Sequence, residues 1–187
     1  MIATNYAVEW AAAVERSKRF DLEVPAHDVQ STHRYLTETR YVEFPDVVQR
    51  GLGDLDFPDV VAQCLSIHYR LVPVLEKWLG CPVLYTIGWV DDGTEKGMFK
   101  FDDAFVADHL KNGHPGGFTN IHAWLTLPSM EVIDVALVTT MAVLNKWGEG
   151  HGAVLAKHAD EITGMAYKPM LVGSDFLQKT GLLIEFP

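Results

Sequence analysis

Three residues in chain order, Cys64, His122 and Asp134, have the types that thiol chemistry requires. A free thiol has a pKa near 8.5 and is only a few per cent thiolate at neutral pH, so a nucleophilic cysteine needs an imidazole beside it. That imidazole in turn needs a carboxylate or amide to orient it. The segment HAWLTLPSMEVID reads as a hairpin, with His122 and Asp134 on either side of the Pro128–Met130 turn. It is expected to bring the two face to face within about one residue of register. In the chemistry this implies, His122 takes the Cys64 proton, the thiolate attacks a carboxamide or peptide carbonyl, and Asp134 fixes the imidazole tautomer. The Cys64 backbone N–H and one further donor, with Gln63 and Trp124 as candidates, would meet the oxyanion. Peptide hydrolysis, glutamine deamidation and transfer to an amine all pass through this intermediate. No cofactor and no metal are implied, and Asp134→Asn is expected to slow turnover with little loss of folding stability.

Cys81 precedes Pro82 at a helix–strand junction and reads as structural. Cys64 and His68 lie four apart on one helix face, so a metal shared with His122 and Asp134 is the competing use of the same groups. His151 and His158 fall in or near a stretch broken by Gly148, Gly150 and Gly152, and read as loop residues. His109 and His114 flank a helix end, where the dipole favours a cationic imidazole.

The elements that must position these groups can be read from periodicity. Residues 5–19 carry Tyr6, Trp10, Ala13 and Val14 on one helical face, with Asn5 as N-cap. A second helix is expected at about 28–39 with Asp28 as its cap. The two Phe-Pro-Asp triplets, at 44–46 and 57–59, read as helix starts, because proline is tolerated in the first turn. Residues 59–79 have a broad apolar helical face and form the expected central helix, with a kink or break near 69–73 from Pro73 and a stop at Gly80. Beyond Gly80 the period becomes that of strands: CPVLYTIGWV, MFKFDD, FTNIHAWLTL and EVIDVALV. A short helix over Asp103–Lys111 interrupts them. The last fifty residues suggest a helix near 139–146, a loop at 148–152, a helix at 174–179 and a strand at 181–186. Helices followed by an antiparallel sheet make the fold class α+β.

From Cys64 to Asp134 the text resembles the transglutaminase-like branch of the papain-like cysteine protease superfamily. The resemblance rests on Cys64 heading a long apolar helix, on Gly80-Cys81-Pro82, on Ile87-Gly88-Trp89, on His122-Ala123-Trp124 and on Val132-Ile133-Asp134. It covers about 75 residues, from roughly 60 to 135. Ala62-Gln63 stand where the family often has glycine before its cysteine, and Val135-Ala136 where it often has proline after its aspartate. The resemblance implies a papain-like core, a Cys64-His122-Asp134 triad and a thiol-dependent amide hydrolase or acyl transferase acting on a peptide, protein or small amide. It also implies a nucleophile at the helix N-terminus, so residues 58–62 are expected to be extended or irregular, with the helix starting close to Cys64.

Composition bounds the rest. At 187 residues, 48% hydrophobic and 21% charged, the chain has ordinary globular usage and the length of one domain. Fifteen Lys and Arg against 25 Asp and Glu give a net charge of −10, which repels a polyanion and argues against nucleic acid. The first twenty residues have no basic lead-in and carry Glu9 and Glu15, and no apolar run is long enough for a membrane helix. The chain is accordingly expected to be cytoplasmic. Residues 1–55 and 140–187, outside the matched core, are expected to wall the cleft and choose the substrate, with Tyr35, Tyr41 and Trp147 available to stack there. The rival from another class is a non-catalytic module that keeps the fold and offers its acidic surface to a protein partner. Retention of all three triad types at compatible spacing speaks against it.

Overall fold

The structure is a computed structural model and describes residues 5–30, 32–54 and 57–183, without the side chains of residues 57 and 58. In chain order the elements are α1 (Tyr6–Arg19), α2 (Glu38–Leu52), α3 (Phe57–Val60), α4 (Cys64–Leu79), β1 (Leu84–Asp91), α5 (Asp103–Asn112), β2 (His122–Thr126), β3 (Glu131–Asp134), α6 (Leu137–Leu144), β4 (Leu155–His158), β5 (Ala166–Val172) and α7 (Asp175–Thr180). The strands form one antiparallel sheet in the order β4-β3-β2-β1-β5. The class is α+β. Among the described residues no helix is long and apolar enough to cross a membrane.

Alternation along the strands gives the sheet two apolar faces. On one face Ile67, Leu71, Leu75 and Leu79 of α4 pack with Ala123 and Leu125 of β2, Ile133 of β3, and Phe44 and Val47 of α2. On the other, Tyr6, Trp10, Ala13 and Val14 of α1 pack with Trp124, Val132, Tyr167 and Val172. The apolar stripe expected for α1 is therefore the one that is buried, and the Asn5 side chain accepts from the Val8 N–H as its cap. α4 runs through Pro73 without a break, with Pro73 on its exposed side, and ends at Gly80, whose φ of 70° is the left-handed turn that glycine takes most cheaply.

Several expectations are corrected. Among the described residues, 28–30 and 32–37 are not helical; the helix is α2, and the first Phe-Pro-Asp triplet lies inside it, with Pro45 exposed. The 28–37 segment is held instead by Glu131, whose buried carboxylate accepts from the Tyr35 and Leu36 N–H groups at 2.8 and 3.1 Å. MFKFDD contributes only a bridge from Met98 to Val90, because Phe99 takes φ 62° and turns the chain out of the sheet. EVIDVALV is a strand only to Asp134, and α6 follows at once. β4 and β5 were not anticipated. Residues 181–183 form a turn after α7 rather than a strand, and the remainder of the expected strand at 181–186 lies outside the described residues.

Candidate active site

α4 begins at Cys64, preceded by the short helical turn α3 and by Ala62 in the left-handed region at φ 58°. The expectation of a helix starting at Cys64 agrees with this, whereas residues 57–60 are helical rather than extended. No side chain caps α4; Gln63 occupies the cap position, and its Oε1 accepts from the Ser66 hydroxyl at 3.2 Å. The first N–H groups of a helix have no intrahelical acceptor, so this end offers donors and the positive end of the dipole beside the Cys64 sulfur.

The His122 ring lies beside the Cys64 thiol, and its Nε2 donates to Asp134 Oδ2 at 2.6 Å. Nδ1 is thereby the nitrogen left to the sulfur. The two residues are not directly opposite, however. The register that pairs Leu125 with Ile133 and Thr126 with Val132 sets Trp124 across from Asp134, so His122 reaches the carboxylate on the diagonal, two residues away.

Asp134 is wholly buried, and both its oxygens are saturated. Oδ1 accepts from the Ala136 and Leu137 N–H groups, both at 2.9 Å, and so caps the start of α6; Oδ2 accepts from His122 and, at 2.8 Å, from the Tyr167 hydroxyl. Burial alone would raise the pKa of this carboxyl. The facing His122 charge and the hydrogen bonds it receives hold it well below the usual carboxylate range instead. Burial likewise opposes charge on His122, but Asp134 and then Cys64 outweigh it, pushing the imidazole up to about 10.

A second imidazole lies under the first. His68, one turn along α4 from Cys64 and fully buried, has Nδ1 at 2.8 Å from the Cys64 carbonyl and Nε2 at 3.1 Å from the Val135 N–H. A backbone N–H can only donate, so Nε2 is the acceptor, Nδ1 carries the proton and the ring is neutral. Burial, only partly offset by Asp134, lowers its pKa to about 4. Both ring nitrogens are thus occupied by backbone groups that tie the head of α4 to the end of β3. Among the described residues no group of three or more His, Cys, Asp or Glu is arranged to hold a metal ion.

No family model, no curated protein and no solved structure matches this chain. The site therefore has to be read from its own geometry. Beside Cys64 and His122 opens a groove of about 630 Å³, with Gln63, Ser66 and Thr140 near its floor and Phe99, Phe118 and Leu144 among its walls. Gln63 keeps a place on this groove. Trp124 does not: it is fully buried on the α1 side and its indole N–H is donated to the Tyr6 hydroxyl at 2.8 Å, so its candidacy as oxyanion donor is withdrawn. From residues 140–187 the lining comes from Thr140, Leu144, Leu182 and Leu183, while no described residue of 5–54 lines the groove. Tyr35, Tyr41 and Trp147 are not part of it, and Tyr41 faces a separate cavity of about 680 Å³ between α2 and β4.

Of the remaining residues, Cys81 lies in the core of the α4 face, and burial pushes its thiol up to about 11. His114 lines the groove, within hydrogen-bond reach of the Thr119 hydroxyl and the Gly117 carbonyl; the His109 ring meets the Phe105 carbonyl. His158 ends β4, away from the groove. Three contributors escaped the sequence. Tyr167 stands on the unanticipated β5. Phe99 stacks on His122, ring centroids 5.2 Å apart, from a backbone conformation that phenylalanine disfavours. His68 had a readable signal in its four-residue spacing from Cys64, but that spacing suggested a metal ligand rather than a brace.

Proposed function

We propose that the protein is a thiol-dependent amide hydrolase or acyl transferase with Cys64 as nucleophile, His122 as general base and acid, and Asp134 as the group that fixes the imidazole. The observation that carries this reading is the placement of the Cys64 thiol, at an uncapped helix end, beside a His122 ring that donates to Asp134 at 2.6 Å. A nucleophile at the head of a helix packed on an antiparallel sheet, with imidazole and carboxylate on two successive strands, resembles the arrangement of the transglutaminase-like branch of the papain-like superfamily. That resemblance supports a papain-like core for this α+β fold.

In the reaction, His122 takes the Cys64 proton and the sulfur attacks the carbonyl carbon of a peptide or carboxamide, forming an S–C bond. The Cys64 N–H and the Gln63 side-chain amide meet the oxyanion. The tetrahedral adduct collapses with cleavage of the C–N bond, and His122 protonates the departing amine or ammonia. Water or a second amine, deprotonated by His122, then releases the thioester and restores the thiol. Tyr167 and the α6 N–H groups keep Asp134 ionised throughout, so that Nε2 stays protonated and Nδ1 faces the sulfur.

The test is alkylation by iodoacetamide at neutral pH, with the modified cysteine located by peptide mass, followed by assays for peptide cleavage, ammonia release and amine incorporation. Cys64 should react far faster than Cys81, and Cys64→Ala should abolish whichever product forms. A Cys64 that labels only after denaturation would refute the reading and favour the non-catalytic module.

A further inference from the structure

We infer that the groove beside Cys64 receives an uncharged, apolar acyl group, which makes the substrate a neutral aliphatic or aromatic acyl donor. The inference rests on the reading of Cys64 as nucleophile and goes beyond it, since the triad alone is indifferent to what the carbonyl carries.

The groove, at about 630 Å³, has the capacity of a small-molecule site. Phe99, Phe118, Leu137, Leu144, Leu182 and Leu183 line it, and none of its described lining residues is an Asp, Glu, Lys or Arg. Its titratable groups are Cys64, His122 and His114. The first two form the thiol–imidazole pair, and His114 meets its own loop through Thr119 and Gly117. A charged acyl group entering here would shed its hydration with no opposite charge to receive it, a penalty that an apolar group does not incur. Phe118 and Leu144 are 74% and 65% exposed although they wall a groove that opens on the nucleophile. Large apolar side chains left in water at the mouth of a site gain by covering a ligand, whereas on a chain of net charge −10 most of the surface is suited to the opposite. The strained φ of Phe99 has the same sense: it brings the ring over His122 and into the groove wall.

The test uses maleimides that differ only in the N-substituent, because they report the groove through the thiol without needing turnover. Alkylation of Cys64 should quicken from N-ethyl through N-butyl to N-hexyl by roughly two- to fourfold for each methylene that enters the groove. An N-carboxyalkyl maleimide should react at least about tenfold more slowly than an uncharged one of equal length. In Leu144→Glu and Phe118→Glu, both exposed and outside the reacting groups, the dependence on chain length should flatten. A flat series in the wild-type protein, or preference for the anionic reagent, would overturn the inference. The two proposals fail separately. Steep chain-length dependence without Cys64-dependent turnover of any p-nitrophenyl ester or amide would sink the catalytic reading, whereas turnover of p-nitrophenyl hemisuccinate faster than butanoate would sink the apolar preference alone.

Discussion

Replacing Asp134 by asparagine keeps the shape of the side chain and removes its charge, and the consequences can be worked out atom by atom. The amide oxygen can still accept from the Ala136 and Leu137 N–H groups, so the start of α6 stays capped. The amide nitrogen, in place of Oδ2, then faces two donors, the His122 Nε2–H and the Tyr167 hydroxyl. The clash is relieved when His122 moves its proton to Nδ1 and the tyrosine hydroxyl rotates to accept. That tautomer points an N–H at the Cys64 sulfur and can no longer take its proton. Two charge-assisted hydrogen bonds, worth about 1.5–3 kcal/mol each, become neutral ones worth about 1, a loss of roughly 1–4 kcal/mol. For a chain of this length that lowers Tm by roughly 2–16 °C. Because Asp134 is fully buried and bonded to four donors, the upper part of that range would exceed the small loss of stability expected from the sequence.

The activity loss should be larger still. A wrong imidazole tautomer costs about 10⁴ in a serine triad, and about 10³–10⁴ is expected here. The assay is iodoacetamide alkylation of Cys64 from pH 5 to 9 at 10 °C, where parent and variant are both folded, with urea titrations run in parallel. At pH 6 the parent should alkylate much faster than the variant, whose imidazole can no longer take the thiol proton. A folded variant that alkylates at the parental rate at pH 6 would refute the argument that Asp134 sets the tautomer. Asp134→Ala, which also loses the cap, should cost about 1 kcal/mol more than the asparagine variant.

Other changes test the supports of the site. A Cβ on Gly88 would lie 2.1 Å from the Lys168 carbonyl oxygen and 2.6 Å from the Trp124 ring, so Gly88→Ala should cost more than about 3 kcal/mol in urea unfolding; a loss under about 1 would contradict the register of β1 against β5. At Ala62, held at φ 58°, stability should follow the order glycine at least equal to alanine, with valine lower by more than about 1 kcal/mol, and the reverse order would remove the left-handed turn before Cys64. His68, lowered to about 4 from an ordinary value near 6.5, favours the fold while neutral: its contribution of about 3 kcal/mol is complete above pH 6.5 and is lost as pH falls through 4. His68→Gln should flatten that acid limb, and an unchanged slope would show that the ring is not the titrating group. His122 has the opposite sign, its stabilisation being complete below about pH 6.5 and lost as pH rises through about 10.

What could be read in advance was whatever is encoded locally. α1 and α4 follow from apolar periods that recur within one segment, and the strand that ends in Thr126 and the one that begins at Glu131 follow from alternation around a short turn. Gly88 has a reason that periodicity cannot supply, since the backbone that crowds it comes from Lys168, eighty residues later. β5 was missed for the same cause: AYKPMLV contains a proline, alternates poorly, and is a strand because β1 presents an edge to it. The 28–37 segment shows the converse failure. Its local text permits a helix, but the carboxylate of Glu131, nearly a hundred residues away, takes the Tyr35 and Leu36 N–H groups and holds that stretch out of a helix.

The same division runs through the site. Cys64, His122 and Asp134 could be singled out because their side-chain types announce a chemistry and one helix and one hairpin place them. The groups that make that chemistry workable announce nothing. Tyr167 reads as a strand aromatic until its hydroxyl is found on Asp134, and Phe99 stands at a backbone angle that its own propensity argues against. His68 lies between the two cases. Its nearness to Cys64 follows from the helical period, but the acceptor role of Nε2, and with it the neutral ring, exists only because the Val135 N–H arrives from the end of β3. A charged imidazole at that position would leave this N–H without its acceptor and compete with His122 for Asp134. The neutral state of the lower histidine is therefore part of what allows the upper one to hold a proton.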